Sequence, residues 1–274
     1  MNMENQSPGG AENMVEVRDL TVAYNGRTVL NRVNLDVRRG ETLVILGGSG
    51  SGKSTLLRHI IGLERSSGGQ ILIKGSDITA LDEEEQDAIL RKVGVVFQSS
   101  AMFNSMSVGD NVALPLREHT RLEESTIQIM TRIKLEMVGL SGFENYMPSE
   151  LSGGMRKRAA FARAISMDPE ILFCDEPSAG LDPIIGAGLD QLILKLKRAL
   201  KMTIVAVTHE MESVYTIADR LIMLHRGDII FRGTLDEFRA CDNERVRQFI
   251  ERRPDSRDEQ DTGRFVRALT ENRF

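Results

Sequence analysis

The sequence predicts an α/β fold with three parts: a parallel sheet with crossover helices, an antiparallel β subdomain ahead of it, and a helical subdomain inserted between its strands. Three observations carry this. Compact apolar runs at residues 171–174, 203–207 and 220–224 alternate with helical segments, as the strands of a sheet covered on both faces do. Earlier in the chain, β-type runs follow one another directly through turn signals, and Asn25-Gly26 between two of them reads as a hairpin. From about residue 81 to residue 164 the pattern turns helical and loop-like, with apolar residues at Ile127, Met130, Ile133, Leu135 and Val138.

Taken in order, residues 1–13 are polar and carry Pro8-Gly9-Gly10. They lack the charged and apolar regions of a secretion signal, so a flexible tail and residence in the cytosol are expected. Strands are expected at 15–22, 28–37 and 42–46, then a glycine loop, a helix over 54–61 and a strand over 70–73. The whole of 14–240 reads as one unit, with no internal repeat. The chain's 274 residues are 41% apolar, enough for a normal core, and 35 basic against 40 acidic residues leave a net charge of −5. That balance offers no general attraction to nucleic acid or anionic lipid. The apolar runs, such as 43–46, fall far short of the roughly 18 residues of a membrane span, so a membrane link requires a partner. The two cysteines, Cys174 and Cys241, have no His or Cys at metal spacing, and neither a disulfide nor a zinc site is expected.

The sharpest signal is Gly47-Gly48-Ser49-Gly50-Ser51-Gly52-Lys53-Ser54, a P-loop pattern placed after a strand and before a helix, as that pattern requires. Glycines let backbone N–H groups turn onto phosphate oxygens, and the helix N-terminus adds its positive dipole. Lys53 is expected to reach the β- and γ-phosphates and Ser54 to take a Mg²⁺ position, with Thr55 completing the nucleotide-binding set. ATP and Mg²⁺ are therefore the expected substrate and cofactor. Residues 171–174 lead into Asp175-Glu176. Asp175 would join the metal shell, and Glu176 would take a proton from the attacking water. Alone, such a pair could equally be a solvated turn or a helix start; beside a P-loop it reads as catalytic.

At Leu151-Ser152-Gly153-Gly154-Met155 a second glycine pair precedes a helix rich in Arg and Ala. Two readings stand: another phosphate-binding helix N-terminus, or a helix merely capped by Ser152. With these motifs in this order, the chain resembles the nucleotide-binding subunits of ABC transporters from about residue 15 to residue 240. The resemblance implies a RecA-like α/β core. It also implies roles for further residues: Tyr24 stacking on adenine, Gln98 on the Mg²⁺ or the lytic water, and His209 on the γ-phosphate. Ser178-Ala179-Gly180-Leu181-Asp182 resembles the loop that crosses the dimer interface, and Asp182 is its nucleotide-side residue. In that family each ATP lies between the P-loop of one copy and the Ser152-Gly153-Gly154 signature of the other, so hydrolysis needs a head-to-tail pair.

The segments 111–120 and 147–155, and Met155 in place of the Gln usual among ABC importers, resemble the Mla- and Mce-linked lipid-transport ATPases in particular. This implies an ATPase on the cytoplasmic side of a bacterial inner membrane, held there by an integral-membrane permease, with an MCE-type lipid-binding subunit and phospholipid as cargo. An importer of amino acids or other small solutes is the alternative. A soluble ABC ATPase acting on DNA or ribosomes fits less well, because the chain has neither a long coiled-coil insertion nor a second cassette. A permease helix is expected beside Gln98, on Ala101, Met102, Phe103, Met106, Val108 and Leu114. Residues 241–274 form a charged extension; from 242 onward it holds eight Arg and eight Asp or Glu. Two short amphipathic helices are expected there, one with Val246, Phe249 and Ile250, and one with Phe265, Val266 and Leu269 that docks on the partner cassette.

Overall fold

The computed structural model describes residues 12–253. The expected N-terminal tail, apart from its last two residues, and the second C-terminal helix lie outside them. The chain divides into two units, one through Leu235 and one from Asp236.

The first unit opens on β1 (Asn13–Tyr24), which turns at Asn25-Gly26 into the antiparallel β2 (Arg27–Arg38). Both turn residues have positive φ, the backbone that Asn-Gly supplies in a two-residue hairpin. β3 (Thr42–Leu46) is buried at all five positions and leads through the glycine loop to α1 (Lys53–Ile60). β4 (Gly68–Ile73) and the short β5 (Ser76–Asp77) join the first two strands in an antiparallel sheet of order β2-β1-β4-β5. α2 (Glu83–Leu90) starts on a reciprocal capping box between Asp82 and Glu85.

Next comes a departure from the sequence reading. Residues Val93–Val96 form a strand, β6, inside the stretch expected to be helical, and it pairs in parallel with a strand of the main sheet. Four residues with Gly94 among them are too few to show a period. α3 (Val108–His119) and α4 (Glu124–Met137) follow. On α4 the buried positions are Ile127, Thr131, Lys134 and Leu135, an i, i+4, i+7, i+8 stripe, and Ile133 falls off it and is 49% exposed. α5 (Gly153–Ala164) then leads into β7 (Ile171–Asp175).

The rest alternates as expected: α6 (Pro183–Leu200), β8 (Thr203–Thr208), α7 (Met211–Ile217), β9 (Arg220–His225), and the antiparallel edge strand β10 (Asp228–Gly233). The second sheet has the order β10-β9-β3-β8-β7-β6. One apolar core runs from the antiparallel sheet (Val15, Val17, Leu35) through α1 (Leu56, Ile60) to the main sheet (Phe173, Val205, Ile222). The second unit contains α8 (Leu235–Arg239), which begins at the boundary residue, and α9 (Glu244–Ile250), capped by the Asn243 side chain. Its sequence position matches the first expected C-terminal helix.

Candidate nucleotide site

In the main sheet β3, β8, β7 and β6 are consecutive and parallel. Leu46 pairs with Thr208, Val207 with Asp175, and Cys174 with Val96, so four strands end nearly level. The residues that follow them therefore emerge along one edge of the sheet: the glycine loop, His209, Glu176 and Gln98. Ligands of open α/β sheets bind at this edge, beyond the carboxyl ends of the strands.

The glycine loop is shaped by two positions where any side chain would be crowded. A Cβ on Gly47 would lie 2.4 Å from the Leu224 carbonyl, and one on Gly52, at φ 106°, would lie 2.7 Å from Leu30 Cδ2. Gly52 is the N-cap of α1 and provides no side-chain cap, so the first amides of this helix are left for a ligand. Lys53 is buried and its ammonium donates to the carbonyls of Gly47 and Gly48 at 2.8 and 3.0 Å. Burial draws its pKa down, while the carboxylates of Glu176 and Asp175 oppose that.

Ser54 Oγ lies 3.5 Å from Asp175 Oδ1. Burial and the neighbouring Glu176 charge raise the Asp175 pKa, against the pull of Arg58, Ser54 and Lys53. Glu176 is held from both sides: Gln98 Nε2 donates to Oε2 at 3.2 Å, and His209 Nδ1 pairs with Oε1 at 3.1 Å. Its backbone sits at φ 44°, a left-handed conformation uncommon for a non-glycine residue, and its N–H donates to Val207 O at 2.9 Å. An acid gripped by two side chains on an uncommon backbone is suited to act as a positioned proton acceptor.

Three positioning groups were not anticipated from the sequence. Lys157 on α5 is buried and donates to the carbonyls of Gln98 at 2.6 Å and Glu176 at 3.4 Å, tying the helix to the segments that carry both residues. Arg163 donates to the carbonyls of Ala101 (2.7 Å) and Ser100 (3.0 Å), two consecutive residues with positive φ. Asn111, fully buried, accepts from Phe103 N and donates to the carbonyls of Phe103, Met106 and Ser107. The available signal was a basic pair and an amide spaced along helices, which reads equally well as solvated surface.

Other predicted residues are placed apart from this cluster. Tyr24, at the end of β1, is 45% exposed and its hydroxyl donates to Glu64. Ser152 caps α5, accepting from Met155 N at 3.3 Å, and Asp182 caps α6 through Ile184 N and Ile185 N at 3.1 and 3.0 Å. Gly154 lies under Ile185; a Cβ there would come within 2.6 Å of Ile185 Cγ2. Of the residues expected to line a docking groove, Ala101, Phe103 and Leu114 border a cleft of about 530 Å³ together with Phe97, Pro115 and Arg163, whereas Val108 is fully buried.

A glycine loop with its lysine, a strand-end Asp-Glu pair and a glutamine and histidine closing on the glutamate define a P-loop nucleotide hydrolase. The ABC transporter profile matches residues 30–179, and the chain belongs to that family as an ATP-hydrolysing subunit. It is 42% identical over 239 residues to the intermembrane phospholipid transport system ATP-binding protein MlaF of Haemophilus influenzae, covering 87% of this chain and 90% of that one. It is 44% identical over 236 residues to the probable ribonucleotide transport ATP-binding protein mkl of Mycobacterium leprae, covering 86% of this chain and 68% of that one. Among solved structures it resembles the dimeric post-hydrolysis state of the ATP-binding cassette MJ0796 bound to ADP and Pi. That match has a TM-score of 0.75 and 33% identity and covers 81% of this chain and 99% of that one.

Proposed function

We propose that this chain is the ATPase of a phospholipid-moving ABC transporter, working as a head-to-tail pair on the cytoplasmic face of a bacterial inner membrane. The observation that carries the cargo is the nearly end-to-end correspondence with MlaF, 90% of whose length is matched, against 68% for mkl. Among the described residues no helix is long and apolar enough to cross a membrane, so the link runs through a permease. The cleft bordered by Phe97, Phe103 and Leu114 is the docking place for its cytoplasmic helix, and the loop bearing Gln98 leads straight into it. An MCE-type subunit would complete the lipid path.

Ser54 and Asp175 offer a hydroxyl and a carboxylate, hard oxygen donors that fit Mg²⁺. When bound, the ion would neutralise phosphate charge and orient the β- and γ-oxygens. The protein's own groups do the rest. Lys53 leaves its two carbonyl partners for phosphate oxygens, and the α1 amides complete the cradle. Glu176 accepts a proton from the attacking water; Gln98 and His209 each bind one of its oxygens and so fix its orientation, and both can turn to the water and the γ-phosphate. Ser152 to Gly154 of the second copy would close over the same phosphates, and Tyr24 would stack on the base.

Purification of the chain with its membrane complex in detergent tests this. Phospholipid bound to the complex and a permease retained by wild type but lost in Phe103→Glu are expected, with ATP binding unchanged. Bound nucleotide or small solute without lipid would favour the alternative cargoes, and full permease retention in Phe103→Glu would remove the cleft from the proposal.

A further inference from the structure

Behind the nucleotide edge, a buried polar chain crosses the seam between α6 and α7. Ser213 Oγ, on α7, donates to Asp190 Oδ2, on α6, at 2.9 Å. Ser213 Oγ and Ser178 Oγ are 3.4 Å apart, and Ser178 Oγ donates to Glu210 Oε2 at 2.9 Å. Ser178, Ser213 and Asp190 are each 3% exposed or less, and Asp190 Oδ1 has no partner. A carboxylate with an unpaired oxygen is an expensive way to fill a helix seam, where an apolar side chain would pack without loss. Its ends explain it. Ser178 stands two residues after Glu176, and Glu210 directly follows His209.

We propose that Asp190 is a positioning residue for ATP hydrolysis, acting through Ser213 and Ser178 to hold the turn after Glu176 against the loop that carries His209. This rests on the catalytic reading of Glu176 and His209 above. With Asp190 ionised, the two carboxylates draw the two serine hydrogens in opposite directions, which fits the long 3.4 Å step between two short ones. With Asp190 protonated, one continuous chain can form, from Asp190 to Ser213, to Ser178, to Glu210. Burial is the main cause that raises the Asp190 carboxyl to about 6; the Ser213 hydrogen bond lowers it and the Glu210 charge adds to the rise. Both arrangements are therefore accessible close to neutrality. In both arrangements the Ser178–Glu210 bond joins the turn after Glu176 to the loop of His209, and in the protonated one Asp190 is tied into that bond through Ser213.

A double-mutant cycle on kcat, with nucleotide affinity measured alongside, tests the inference on the full-length chain. Asp190→Ala is expected to lower kcat about tenfold, the size of a coupling within one hydrogen-bond network, and to leave the Kd for ATP within about twofold. In a Ser178→Ala background the same substitution should have almost no further effect. Ser213→Ala removes only a hydroxyl and should behave in the same way, which keeps the test available if Asp190→Ala does not fold. Additive losses in both pairs, or a loss of ATP affinity that parallels kcat, would overturn the proposal. Glu176→Gln serves as the control: if it were active, the catalytic reading would fail; if it is inactive while the cycle is additive, only the role of Asp190 fails.

Discussion

The two glycine motifs of this chain each open a helix, and they open it differently. α1 starts on Gly52, whose left-handed backbone contributes no cap, so its first amides are bare. α5 starts on Ser152, whose hydroxyl accepts from Met155 N. Around α1 the same chain supplies a lysine, a carboxylate pair, a glutamine and a histidine. Around α5 the neighbours are Ile185 packed on Gly154 and Leu181 Cδ2, which a Cβ on Gly153 would meet at 3.4 Å. The P-loop side is a whole phosphate site. The signature side has a helix dipole and small residues, which suits the proposed role of completing the phosphate site of another copy. Capping is compatible with that role, because Ser152 satisfies only one of the first-turn donors.

The largest effect that would break or sharpen this contrast belongs to the complete side. Glu176→Gln keeps the shape and loses the proton acceptor, so kcat should fall at least about a hundredfold while ATP binding persists. The variant should accumulate as an ATP-bound dimer, visible as a shift in size-exclusion elution on adding Mg-ATP. Lys53→Ala should instead lose ATP affinity itself, because the only buried ammonium in the glycine loop is gone. Hydrolysis by Glu176→Gln at the wild-type rate would show that the strained, doubly held carboxylate is not the base.

A pair of alanine substitutions sharpens the comparison at smaller size. Gly52→Ala puts a Cβ 2.7 Å from Leu30 Cδ2 at φ 106°, and left-handed backbone costs an L-residue about 1–2 kcal/mol. Stability and ATP affinity should fall together. Gly153→Ala meets only an ordinary contact at 3.4 Å, so folding and ATP affinity of the single chain should survive. Its hydrolysis should drop, because the added methyl enters the face offered to the second copy. Equal loss of ATP affinity in the two variants would erase the distinction between whole site and half-site.

How much of this was legible in the sequence follows the same division. The glycine loop, Asp175-Glu176 and the alternating buried runs could be read directly, because each depends on residue types in a short window: glycines for backbone approach, four apolar residues ending in acids. Strand β6 could not, being four residues long with a glycine inside. Nor could Lys157, Arg163 or Asp190, whose work is done on carbonyls and hydroxyls between 19 and 63 residues away. Long-range bonds of this kind are set by the packing of α5 and α6, and they leave no local period. The left-handed backbone of Glu176, whose N–H bonds to Val207 O, is likewise not a preference of its residue type.

The smallest expected effect separates the two readings of Ser152 itself. As an N-cap its hydroxyl satisfies the Met155 amide, and removing such a cap costs about 1 kcal/mol. Ser152→Ala should lower the unfolding free energy by that amount, and Ser152→Thr, which keeps the oxygen, should recover most of it. Were capping its whole purpose, the hydrolysis rate of folded protein would be the same in all three at a temperature well below unfolding. A ligand role predicts otherwise, since a hydroxyl turned from Met155 to a phosphate of the other copy would be missed only when two copies close. In that case Ser152→Ala loses hydrolysis at saturating protein, and Ser152→Thr falls between, because its extra methyl is crowded at the dimer face while its oxygen still reaches. Recovery of stability in Ser152→Thr together with a lost rate in Ser152→Ala is thus the outcome that assigns the hydroxyl to both tasks, and an unchanged rate in all three proteins would leave α5 with a cap alone.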